Sequence, residues 1–275
     1  MNSSAVAAID AWAQPMMKVR LPEVERLFEQ SGTSAWLPSD LDADGIVKMM
    51  DAAGVNKLML CAWCRPGQWL VTNDEIAQYV NAYPDRFVGV AAVDLDDPVA
   101  AVHELDRAVT ELGFKALRVV PWLWKLPPND KLYYPLYVKC IELDIPFCTQ
   151  VGHTGPLMPS ETGRPVPYLD EVALTFPDLT IVGGHIGHPW TDEMIGVAWK
   201  HAKVYIDTSA YLPRYYPPQL LHYMKTYGRE KVLFGTNFPQ LSHEVCIGQV
   251  KELGLSEEIE ALFLRENARR VFKLD

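Results

Sequence analysis

The chain has 275 residues, 49% of them hydrophobic and 22% charged, a balance that suits a folded globular protein and excludes a disordered one. Twenty-five basic against thirty-five acidic residues give a formal charge of −10, which disfavours nucleic acid and anionic membrane as partners, and no apolar run reaches the roughly 20 residues needed to span a bilayer. Met1 to Ile9 carries no basic residue and no apolar core ahead of a cleavage-like site, so a cytoplasmic location is expected.

Short Val-, Ile- and Leu-rich runs alternate with longer segments of helical spacing. A strand over Val6–Asp10 is followed by a helix over Asp40–Ala53 that ends at Gly54, then by strands over Lys57–Trp63 and Phe87–Leu95. Val99, Val102, Leu105, Val109 and Leu112 make one apolar helical stripe closed by Gly113. Strands over Lys115–Pro121 and Ile145–Gly152 come next, then a helix over Tyr168–Phe176 before Pro177 and a strand over Leu179–Ile186. A helix over Asp192–His201, a strand over Val204–Ser209 and a helix from Pro217 through Tyr227 closed by Gly228 lead to the last strand, Val232–Asn237. A helix over Glu257–Glu266 finishes the pattern.

Eight apolar strands separated by helices predict a parallel sheet covered on both faces. The first strand runs into Ala-Trp-Ala-Gln-Pro and not into a glycine-rich phosphate loop, and no Gly/Ser linker divides the chain. The expected fold is therefore α/β, a single (β/α)8 TIM barrel over residues 1–275. The five cysteines show no disulfide framework, and the CxxC of Cys61 and Cys64 lacks the second pair or the helix start that a zinc or redox site requires.

A barrel presents its chemistry at the carboxyl ends of its strands. His153, in Gly152-His153-Thr154-Gly155, and His185, in Gly184-His185-Ile186-Gly187-His188, sit at such ends in glycine-flanked turns and are the candidate catalytic acid/base pair. His188 either contacts substrate or braces the loop. His103, His201, His222 and His243 fall in helical patterns and read as solvated surface. Arg118 is a cation inside an apolar strand, so either a substrate carboxylate or an internal acid such as Asp207 should satisfy it. Aromatic residues crowd the strand ends, among them Trp12, Trp63 and Tyr211, and favour an aromatic ligand.

Taken together, Ile9-Asp10, the two histidine turns, Tyr205-Ile206-Asp207-Thr208-Ser209, Leu233 to Pro239 and the closing Asn267-Ala268-Arg269-Arg270-Val271-Phe272 resemble the amidohydrolase-related family. That family includes decarboxylases of aromatic acids and of aminocarboxymuconate semialdehyde, hydratases and the pyrone-dicarboxylate lactonase. The resemblance implies a metal held by Asp-x-His-x-His on strand one, by the histidine of strand five and by an aspartate on strand eight. Here those positions hold Trp12, Gln14, His153 and Asn237, so one histidine remains of the ligand set and no metal or other cofactor is expected.

The first functional reading is a metal-independent hydrolase of a lactone, ester or carbon–carbon bond in a small aromatic or carboxylated substrate. His153 and His185 are its catalytic residues, and Trp12, Gln14, Trp63, Arg118, His188, Asp207, Tyr211 and Asn237 bind the substrate. The alternatives are a decarboxylase of an aromatic or unsaturated acid and an inactive barrel that binds small molecules. The expected partner is a small molecule, and self-association stays open.

Overall fold

The computed structural model describes residues 7–16, 22–39 and 41–275. Val6 and Asp40, the first residues of two predicted elements, lie outside that set. Eight strands pair in parallel in chain order. They are β1 (Ala8–Ala13), β2 (Val55–Cys61), β3 (Phe87–Ala91), β4 (Ala116–Val119), β5 (Phe147–Gln150), β6 (Ile181–Gly184), β7 (Val204–Asp207) and β8 (Val232–Leu233). The ring closes where Ala11 N donates to Phe234 O at 3.0 Å, Asn237 N to Trp12 O at 2.9 Å and Gln14 N to Phe238 O at 2.9 Å. The fold is the (β/α)8 barrel.

The strands are apolar on both faces because each face meets a different core. On β2, Leu58 and Leu60 join the layer between sheet and helices, whereas Met59 and Cys61 point into the barrel with Ile9, Val88, Ala116, Cys148, Val182 and Leu233. All five cysteines are buried free thiols. No helix among the described residues is long and apolar enough to cross a membrane.

Strand one differs from its prediction in a way that shapes the site. It runs on through Trp12 to Ala13, and its register slips between Asp10 and Ala13, which pair with Leu58 and Leu60. Three residues thus face two, a β-bulge that re-aims a side chain. The Asp10 carboxylate fixes it by accepting from Trp12 N at 3.0 Å. Asp10 is fully buried and also accepts from Thr236 N at 3.0 Å, from the Thr236 hydroxyl and from His243 Nε2 at 2.9 Å. His243, expected on the surface, is therefore buried, with its ring stacked 4.7 Å from that of Phe238. It opens the helix His243–Val250, and a helix's first turn can face the barrel as readily as solvent. His201 is also no free surface residue: its Nε2 lies 2.7 Å from Asp170 Oδ1. Exposure holds for His103 and His222.

Asp10 pins the first strand to the last, so Asp10→Ala should leave four donors without their acceptor and destabilise the barrel by about 3–5 kcal/mol. Urea melts check this, and a loss below about 1 kcal/mol would refute the role.

Several elements had not been predicted. The hairpin Trp63–Arg65 and Gln68–Val71 turns at Gly67, which sits at φ 69. The helix Pro22–Ser31 follows β1 and carries Leu27 and Phe28 across the barrel mouth. Helices Asn73–Ala82 and Tyr134–Glu142 complete the outer layer.

Candidate active site

The loops after β1, β5, β6, β7 and β8 enclose a cavity of about 240 Å³ at the carboxyl end of the barrel. This lies just below the usual range of roughly 300–1,000 Å³ for small-molecule sites, which suits a single-ring ligand. Trp12, Trp63 and Trp122 supply flat walls, and Leu27 and Phe28 supply the cover. His153, His185, Gln14, Gln150, Tyr211 and Asn237 face the same space. No lysine or arginine does so among the described residues.

Two glycines make this enclosure possible. A Cβ at Gly184 would stand 2.6 Å from the Trp12 ring, so the indole swung inward by the bulge lies directly on strand six. Gly152, at φ 93, would drive a Cβ to 2.5 Å from His188 O, and that close approach lets His153 N donate to His188 O at 2.7 Å. The histidine loops of β5 and β6 are thereby locked together. Three lining residues, His185 (φ 70), Ala210 (φ 66) and Asn237 (φ 60), are held in the left-handed region, and Ile186 follows at φ 52. Non-glycine residues pay for that conformation, and such strain collects at functional sites.

His185 is the most constrained of the histidines. Its Nδ1 lies 2.7 Å from Ser209 Oγ, and the Ser209 hydroxyl donates in turn to Asp207 Oδ1, which also accepts from Ser209 N at 2.9 Å. With its proton spent on Asp207, Ser209 can only accept from the ring, so His185 carries its proton on Nδ1 and leaves Nε2 as a base. Burial, then the nearby Arg118 cation and His153, holds the His185 pKa down to about 3. Burial also pushes the Asp207 carboxyl up to about 7, against the hydrogen bonds from Ser209. Asp207 is fully buried behind Ser209 and acts through it, so it does not reach the cavity as a substrate contact.

His153 stands at the rim and is exposed. Its Nδ1 lies 3.1 Å from the Tyr211 hydroxyl and 3.4 Å from His188 O, and its ring lies 5.6 Å from that of His188. His188 is exposed too, outside the cavity wall, with burial and then His153 lowering its pKa. Burial raises that of the Tyr211 phenol.

Arg118 departs from its expected role. The guanidinium does not sit on a carboxylate. It lies 3.9 Å from the Trp12 ring centroid, donates to Ala13 O at 3.1 Å and sits 3.5 Å from Ala11 O. Trp12 stands between it and the cavity, so the cation is held by an aromatic face and strand-one carbonyls, an arrangement to which the planar guanidinium is suited.

The Amidohydrolase family model matches residues 62–274. The chain belongs to the amidohydrolase-related family. It is 26% identical over 291 aligned residues to the gamma-resorcylate decarboxylase of Rhizobium sp. strain MTP-10005, covering 84% of this chain and 87% of that one. It is 36% identical over 95 residues to the 2-keto-4-carboxy-3-hexenedioate hydratase of Sphingobium sp., covering 31% of this chain and 28% of that one. An uncharacterized TIM-barrel protein of Bordetella bronchiseptica superposes with a TM-score of 0.83 at 24% identity, covering 97% and 98% of the two chains.

The metal that family resemblance implies has no fitting residues here. Gln14 Nε2 donates to Asn237 O at 3.1 Å and to Asn237 Oδ1 at 3.2 Å, and Asn237 Nδ2 donates to Gln240 Oε1 at 2.6 Å. Two of the ligand positions are thus amides bonded to each other, and the third is an indole. Among the described residues no three His, Cys, Asp or Glu side chains converge as a metal site.

Ser209, Gln150, Thr154 and Trp122 stand at the strand ends that the sequence marks, with no individual role assigned to them there, and Gln240 and the Pro22–Ser31 helix carry no such mark. Ser209 and Gln150 each end a strand that had been recognised, so the position was legible. Neither side chain ionises, and nothing in the sequence says which polar residue at a strand end turns inward.

Proposed function

We propose that the chain is a lyase that decarboxylates a small aromatic or unsaturated carboxylic acid, with His185 as the proton-transfer group and no metal at the family position. The observation that carries this is the flat, apolar cavity with the His185 ring on its wall. Gln14 Nε2 is bonded to Asn237, and Gln150 Nε2 donates to His153 O at 3.0 Å, so both amide donors are committed within the protein. Hydrolysis needs N–H donors aimed at the developing oxyanion, and these two are engaged elsewhere. Decarboxylation needs a flat apolar site and a proton delivered to carbon, which the indoles and His185 supply. The similarity to gamma-resorcylate decarboxylase supports the same reading ahead of hydrolysis, and a hydratase among the relatives is also a lyase.

In this reading the substrate ring lies among Trp12, Trp63 and Trp122. Its carboxylate raises the pKa of His185 from the low value of the empty site, because a nearby anion favours the imidazolium. The charged His185 passes its Nε2 proton to the carbon bearing the carboxylate. The C–C bond then breaks, CO2 leaves, and the electron pair restores the ring. His185 takes its next proton from solvent, so one proton is consumed per CO2 released. His153 and Tyr211 stand at the rim, where CO2 departs.

The test is a panel of ring-substituted benzoates assayed for CO2 release in D2O. One deuterium should appear at the carbon that carried the carboxylate, with turnover unchanged by a chelator. Hydrolysis of aryl esters or lactones without any CO2 release would overturn the lyase reading. Loss of turnover on chelation, restored by manganese or zinc, would overturn the metal-free part alone.

A further inference from the structure

Away from the barrel mouth, the helix Thr191–Lys200 carries an open face. A groove of about 440 Å³ runs along it, lined by Asp192, Ile195, Gly196 and Trp199 and by Tyr227, which follows the helix Pro218–Lys225. Trp199 and Tyr227 are 70% and 60% exposed. The Tyr227 ring is held in place by the buried ring of Tyr223, 4.9 Å away between centroids. Gly196 is the unusual member. It sits inside the helix, takes no positive φ, and a Cβ added to it would meet nothing within 4 Å among the described residues. Neither a turn nor packing within the chain calls for glycine there, although glycine is among the least favourable residues in a helix interior. A bare backbone on an open face permits the close approach of another molecule, and large exposed aromatic rings beside it mark such a contact.

We infer that this face is a twofold interface between two copies of this chain, with Trp199 of each copy seated over Gly196 of the other. The spacing selects a second copy over an unrelated protein. A recess and a bulky ring three residues apart on one helix are complementary to themselves, as an isologous contact requires. The two helices then run antiparallel about an axis level with Val197 and Ala198. That register sets Asp192 of each copy against Lys203 of the other, just past the helix end, and lays the Lys200 stem along Ile195. Lys203 rests on Asp178 at 3.3 Å, a pairing between exposed side chains that is weak enough to be exchanged. Opposite charges thus meet twice, in a chain whose net charge of −10 would otherwise keep two copies apart. At about 150–250 Å² per aromatic side chain, Trp199 and Tyr227 supply a few hundred Å² per copy. A standard interface takes roughly 800 Å² per partner, so the dimer is a reversible one.

Sedimentation velocity on the full chain tests this, and the mass should move from one chain toward two between about 1 and 100 µM. Gly196→Leu is the decisive variant. Its side chain meets open space in the single chain, so the melting temperature should hold or rise, while the filled recess should weaken association at least about tenfold. Trp199→Ala, at an exposed position, should weaken it to a similar extent by removing the ring. Asp192→Lys and Lys203→Asp should each weaken association, and the double variant should return to within about threefold of the parent. A parent that stays a single chain at about 100 µM overturns the inference and leaves the groove to a different partner. A dimer that neither Gly196→Leu nor Trp199→Ala weakens lies on another face and overturns it as well. A double charge variant no tighter than the single ones would overturn the antiparallel register.

Discussion

Replacing His185 with glutamine is expected to lower turnover of an accepted substrate by about 10²-fold or more while the barrel stays folded, the usual scale for losing a general acid or base. Glutamine can still reach Ser209 Oγ, which separates loss of the titrating nitrogen from loss of the contact. Ser209→Ala should cost less and shift the pH–rate profile, because it frees the ring from Asp207 without removing it. His103→Gln is the control, being exposed; His201 is unsuitable because it is bound to Asp170.

The same substitution has a pH signature in stability. His185 is lowered from 6.5 to about 3, so its contribution is present above 6.5 and is lost as pH falls toward 3. Asp207 is raised from 3.8 to about 7, so its contribution is present below 3.8 and is lost as pH rises through 7. Between 3.8 and 6.5 the two slopes oppose, one proton against one, and the pair leaves stability nearly flat. In His185→Gln only the Asp207 slope survives, so the variant's melting temperature should fall relative to the parent as pH rises from about 4 to 7. A parallel pair of curves would show that Asp207 does not titrate as described.

Trp12→His is the second large effect. The indole is 2% exposed, lies on Gly184 and covers Arg118, so the smaller ring leaves a cavity and deprives a buried cation of its aromatic face. The cost should be at least about 3 kcal/mol in chemical denaturation, near that of other large-to-small core replacements. Restoring the family's ligands with Trp12→His, Gln14→His and Asn237→Asp should bring some zinc affinity, and zinc should recover part of the lost stability. A triple variant as stable as its parent without zinc would show that Trp12 contributes little.

The barrel was legible because burial on both faces forces runs such as Leu58-Met59-Leu60-Cys61, whose period and length suit only a covered parallel strand. The place of His153, His185 and Asn237 around one cavity followed from closure of the ring. Three things were not legible. The bulge between Asp10 and Ala13 depends on a carboxylate capping its own strand, so the apolar pattern stops three residues short of the end of β1. The partner of Arg118 depends on where Trp12 points, and a charged pair was expected where an indole and carbonyls serve. The helix Pro22–Ser31 has apolar spacing at Val24, Leu27 and Phe28, a short pattern that is weaker than those of the longer helices.

Asp10 meets Thr236 and His243 across 226 and 233 residues of chain, and Gln14 meets Asn237 across 223. On the ribosome, strand one emerges first and waits for nearly the whole protein before its partner exists, so contacts of this separation form last. The amide chain that walls the cavity forms in the same closing event as the Asp10 clasp. A chain stalled with seven strands paired would hold His153, His185, Ser209 and Asp207 and would still lack the Gln14–Asn237 side of its site. Ligand binding is therefore a readout of the final step of folding, and partly folded chains stay silent instead of working at reduced efficiency.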